Sequence, residues 1–158
     1  MAYTWWKFLH VVSVLAFVSL HGASMVVLFR LRKERDRRRI EDLISFSGTT
    51  VTPTYVSLAA LLVTGIVTGI QGHWFGDWWI WAAIAVLVVT SGLMGALARP
   101  YFRKVSEACG VRPTGVPRKS DEELNQILRG PVFHLVYGTG FAGLLVILYL
   151  MIFKPGVG

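Results

Sequence analysis

Apolar positions in this chain gather into four long runs, and the charges gather between them. The runs without Asp, Glu, Lys or Arg are Phe8–Phe29 (22 residues), Leu43–Gly76 (34), Trp78–Ala98 (21) and Gly130–Phe153 (24). A helix rising about 1.5 Å per residue crosses a bilayer in roughly 20 apolar residues. The pattern therefore predicts an all-α bundle of four transmembrane helices forming one membrane domain. The second run exceeds one span, and it begins with Ser45, Ser47, Gly48, Thr49 and Thr50. That start reads as loop, with Thr52 capping a helix and Pro53 in its first turn. The expected spans are 5–29, 53–72, 78–98 and 131–153, with polar loops at 30–52 and 99–130. The first run lacks a basic leader and a small-residue cleavage site, so it reads as a span and not as a signal peptide.

The loops carry their own patterns. Helix is expected to continue from the first span into Arg30–Ile44, where acidic and basic residues alternate and i,i+4 pairs are available. In the second loop, Gly110, Pro113, Gly115 and Pro117 predict coil over 110–119. Ser120 followed by Glu123 is a capping box. Leu124, Ile127 and Leu128 then form one apolar stripe, which predicts a short amphipathic helix ended by Gly130-Pro131. Gly65/Gly69, Ser91/Gly95 and Thr139/Gly143 are small-residue pairs at four-residue spacing, which let membrane helices approach closely.

Composition agrees with the pattern: 54% of residues are hydrophobic and only 16% charged, against about 25% charged in soluble domains. The net charge of +7 matters through its distribution. Seven of the 16 Lys/Arg lie in 30–39 and seven more in 99–129, leaving Lys7 and Lys154 for the other side. Basic loops stay cytoplasmic. The chain is thus expected N-out and C-out in a cytoplasmic membrane, its amphipathic helix inside, its arginines on anionic headgroups and not on nucleic acid. The aromatic cluster Trp74, Phe75, Trp78 and Trp79 falls at the outer interface, where such rings anchor. Cys109, the one cysteine, is expected as a free cytoplasmic thiol.

Within the spans the histidines are the only ionisable candidates for chemistry. His10 and His21 are eleven residues apart, within roughly 20° on one side of a helix and about 16 Å along it. Depth then suggests an outer pair, His10/His73, and an inner pair, His21/His134. Neutral imidazole is an axial ligand of haem iron, and Gly65, Gly69, Gly138 and Gly140 offer space for a haem slot. Haem b bound by His10, His21, His73 or His134 is one expectation, with electron transfer or membership of a redox complex as its use. A second is a non-catalytic membrane scaffold that binds a partner or lipid, with all four histidines structural; the partners expected of the protein as a whole are membrane lipid and a redox partner or another copy of the chain. A third is an outer copper or zinc centre of His10, His73 and Asp77, since both metals accept imidazole and carboxylate. There is no HExxH, CxxC, phosphate loop or nucleophile motif.

The opening segment Tyr3-Thr-Trp-Trp-Lys-Phe-Leu-His10-Val-Val-Ser-Val-Leu-Ala16 resembles the start of a bacterial family of small integral membrane proteins of unknown function. That family is distantly similar to the copper-resistance D proteins and the small membrane protoporphyrinogen oxidases, which share a W-x-K-x-L-H approach to the first span. The resemblance runs to about Lys104 and is weaker beyond. It implies that His10, at the position of the oxidases' first-span histidine, ligates haem. The oxidases also carry a lysine in the third span; Trp78–Ala98 has none, so the resemblance does not extend to their activity. His21 lies outside the shared motif.

Overall fold

A computed structural model describes residues 1–156. Five α-helices follow one another: α1 Ala2–Lys33, α2 Arg37–Gln71, α3 Trp78–Cys109, α4 Asp121–Arg129 and α5 Val132–Phe153. Among the described residues there is no strand, only one isolated bridge between Val111 and Pro117. Four segments, α1, α2, α3 and the stretch reaching through α5, are long and apolar enough to cross a membrane. The expected four-helix bundle is what forms, and the protein belongs to the multi-pass membrane class.

The expected loop over 30–52 is mostly helix, and the expected continuation of span one to Ile44 is broken. α1 stops at Lys33 and α2 starts at Arg37. The acids that suggested i,i+4 pairs serve the break instead. Glu34 Oε1 accepts from the backbone N–H of Arg35 (2.8 Å) and Asp36 (3.1 Å). Those two bonds hold its carboxyl below the usual carboxylate range. Asp36 Oδ1 accepts from Arg38 N–H (2.9 Å) and caps α2.

From Arg37 the helix runs unbroken through Ser45–Thr52, so Thr52 caps nothing and Pro53 lies inside α2. Local hydroxyl bonds accompany that run. Thr49 donates to the Phe46 carbonyl (2.7 Å), Thr50 to Ser47 (2.8 Å) and Thr54 to Thr50 (2.6 Å). Hydroxyls of this kind support backbone around a membrane proline. α3 likewise passes Pro100 and ends eleven residues later than the expected span boundary, because Tyr101, Val105, Ala108 and Cys109 bury one face.

The rest of the second loop follows expectation. Residues 111–120 are exposed coil, with Gly115 at φ +81°. Ser120 and Glu123 close a complete capping box on α4, and Leu124 and Leu128 are buried beneath it. The Ser120 backbone N–H, and then Lys119 nearby, hold the Glu123 carboxyl below its ordinary range.

The helices pack chiefly as two antiparallel pairs, α1 with α2 and α3 with α5. His10 meets Thr64 and Ser24 meets Thr50, equal steps along both helices, which sets the α1–α2 register. The α2 face toward α1 reads Ile40, Ser47, Thr50, Thr54, Ser57, Leu61, Thr64, Thr68, a three- and four-residue alternation that persists through the span. Apolar burial concentrates elsewhere. Val27, Leu28, Leu31, Ile40, Tyr101, Val105, Ala108, Cys109, Leu124, Leu128, Phe133 and Val136 form one cluster at the basic end. Trp79, Ile80, Ala83 and Leu150 form a smaller one at the Trp-rich end. Between them the close contacts are glycine and hydroxyl contacts. Water makes burying a large aliphatic side chain worth about 1.5–3 kcal/mol; lipid offers no such drive, so close packing of small residues takes over.

Candidate functional site

His10 is the best-positioned histidine. The α1–α2 register sets it against one turn of α2, where Gly65 leaves room for the ring: a Cβ at Gly65 would stand 2.9 Å from His10 Cε1. His10 Nδ1 lies 3.2 Å from the Leu61 carbonyl and 3.3 Å from Thr64 Oγ1. The carbonyl can only accept, so Nδ1 carries the proton and Nε2 keeps its lone pair. Thr64 spends its own proton on the Ala60 carbonyl (2.7 Å), leaving its oxygen to accept from His10. A histidine tied at Nδ1 to a main-chain oxygen, with Nε2 free, is oriented as metal-ligating histidines are. Thr64 is buried, and His10 is only half-buried.

His21 is placed differently. It shares one side of α1 with His10, as the spacing predicted, but meets α5 and α3. Its Nε2 lies 3.1 Å from the point where a Cβ of Gly140 would stand, with Met25 Cε at 2.8 Å and Met94 Sδ at 3.5 Å from the same point. Phe17 stacks on the ring, centroids 5.7 Å apart and planes 13° from parallel.

The expected pairs do not form. His73 is exposed past the end of α2 with φ +56°, about 12 Å along the axis from Gly65 at 1.5 Å per residue. His134 is exposed at the start of α5, where its Nε2 accepts from Arg32 at 2.8 Å. Gly140, the level of His21, is roughly 9 Å further along α5. Equal depth in the sequence did not translate into facing side chains. Nor do His10, His73 and Asp77 gather as a metal centre: among the described residues no group of three His, Cys, Asp or Glu is set to hold an ion. Asp77 precedes α3 without a side-chain cap bond.

The glycine slot is also not open. Gly65 is covered by His10, Gly69 by Phe75 and Ile80, and Gly140 by His21 and the two methionines, while Gly138 has nothing near it. A cavity of about 370 Å³ lies at the Trp-rich end against Gly69, Ile70, His73, Phe75 and Gly76. Another of about 530 Å³ lies at the basic end between Arg35, Asp121, Asn125 and Arg129. Neither touches His10 or His21.

Thr64, Met25 and Met94 were not foreseen. The hydroxyl alternation on α2 was a readable signal for Thr64. The i,i+4 spacing of His21 and Met25 was a readable signal on α1; Met94 arrives only through the fold. The architecture is that of a four-span helical membrane protein. No family model, no curated protein and no solved structure matches this chain.

Proposed function

We propose that this protein is a bacterial inner-membrane, N-out and C-out haem b protein, acting in electron transfer or as the membrane subunit of a redox complex. The observation that supports it is the His10 imidazole, tied through Nδ1 to the Leu61 carbonyl and leaving Nε2 without a hydrogen-bond partner among the described residues. An intramembrane ionisable side chain is a functional candidate in its own right, and neutral imidazole suits haem iron. The haem, when bound, supplies a one-electron couple. His10 would hold it, with Thr64 and the Leu61 carbonyl fixing the half-buried imidazole ring.

Reduced-minus-oxidised spectra of detergent-purified protein from haem-replete cells test the reading. b-type bands are expected, and His10→Ala should remove them while His73→Ala leaves them in place. Colourless wild-type protein would overturn the proposal and leave a non-catalytic membrane partner whose histidines are structural.

A further inference from the structure

His21 has a surrounding that the haem reading does not use. Neither of its ring nitrogens has a hydrogen-bond partner among the described residues, although the ring lies mid-span and half-buried. Three helices converge there. α1 brings His21 and, one turn on, Met25; α3 brings Met94; α5 brings Gly140, whose missing side chain makes the space. His21 Nε2, Met94 Sδ and the Met25 methyl all lie within 3.5 Å of one point above Gly140. The Met25 methyl is the atom nearest that point; its sulfur is one bond behind, and rotation about the Cβ–Cγ bond is what would carry it into the same space. The chain has four methionines, and two of them flank this histidine.

We infer that His21, Met25 and Met94 form an intramembrane binding site for Cu(I). Two thioethers and one imidazole are a soft, neutral donor set, and soft sulfur ligands select Cu(I). Hard cations want oxygen ligands, and the charge-free runs that carry these residues, Phe8–Phe29, Trp78–Ala98 and Gly130–Phe153, contain no carboxylate. A single positive charge shared over polarisable donors is also the form of a metal ion that a low-dielectric interior accepts most readily. The site is distinct from His10 and does not rest on the haem reading.

Anaerobic titration of metal-stripped, full-length protein in detergent with Cu(I), in competition with a chromogenic Cu(I) chelator, tests the assignment. One Cu(I) per chain is expected, with sulfur and imidazole nitrogen in its X-ray absorption shell. Met94→Leu keeps side-chain volume and fold, and it should weaken binding by at least about tenfold, the scale of losing a supporting ligand. His21→Ala should do the same. His10→Ala and Cys109→Ala should leave the affinity unchanged. Failure to compete for Cu(I), binding that survives both Met94→Leu and Met25→Leu unaltered, or binding abolished by Cys109→Ala would each overturn the proposal. Loss of haem from His10→Ala bears on the other reading alone.

Discussion

Replacing Arg37 tests how the basic end is held together. Its guanidinium touches three things at once: the Asp121 carboxylate (2.8 Å from Nε and 2.7 Å from Nη2), the Ala108 carbonyl (3.0 Å) and the Lys119 carbonyl (2.6 Å). It thereby ties the start of α2 to the end of α3 and the start of α4. The two kinds of contact differ in weight. The Asp121 side chain is 83% exposed and that of Arg37 20%, and an exposed ion pair is worth about 1 kcal/mol at most. The carbonyl bonds are charge-assisted, and the one to Ala108 is part-buried while that to Lys119 is exposed; charge-assisted bonds are worth roughly 1.5–3 kcal/mol each, the exposed one at the low end. Arg37→Ala should thus cost on the order of 2–4 kcal/mol once water replaces part of each bond. Asp121→Asn should cost less than about 1 kcal/mol. Arg37→Lys, which offers a point charge in place of a fork, should fall between. Thermal melting in detergent, followed by helical circular dichroism, gives the order. Limited trypsin digestion gives the location, with faster cleavage after Arg118 and Lys119 in Arg37→Ala. If Asp121→Asn proved as damaging as Arg37→Ala, the ion pair would be the main tie and the carbonyl argument would be wrong.

Two further outcomes follow from the packing and the topology. Gly143→Ala should drive α3 and α5 apart, because the Thr90 side chain already stands where the new Cβ would go; the expected loss is about 1–3 kcal/mol of stability, restored in part by adding Thr90→Ala, and a neutral Gly143→Ala would show that the seam is not tight. Gly76→Cys in intact cells should react with a membrane-impermeant maleimide applied outside, while native Cys109 stays silent, since it is buried and burial, then Glu41, pushes its thiol up; labelling of position 76 only after the cytoplasmic face is opened would reverse the orientation.

The spans were legible in the sequence because absence of charge over twenty residues has few alternatives. Ser45–Thr52 was misread because hydroxyls are ambiguous. Here Thr49 and Thr50 bond back to their own helix, and Thr50 also meets Ser24 of α1. Glu34 and Asp36 were ambiguous in the same way, as partners for arginines or as caps, and backbone N–H groups freed at the break drew them into the second role. At the site, His10 drew attention through its place in the opening segment, but its neighbours Leu61 and Thr64 were hidden. A main-chain carbonyl leaves no mark in a sequence, and Thr64 becomes a neighbour only once the α1–α2 register is known. The histidine pairs failed because depth fixes one coordinate and contact needs three.

The α1–α2 pair also bears on how the protein is made. Its two helices are separated in sequence by the three-residue break at Glu34–Asp36, and they meet through side chains that are all synthesised before α3 begins. Contacts between such near neighbours in sequence close early and fast. This pair can therefore settle as a finished hairpin in the bilayer while the ribosome is still working. α3 must wait for α4 and the coil before its partner α5 exists. The site at His10 belongs to the half that closes first, and the cluster around His21 is completed only by the last helix to arrive.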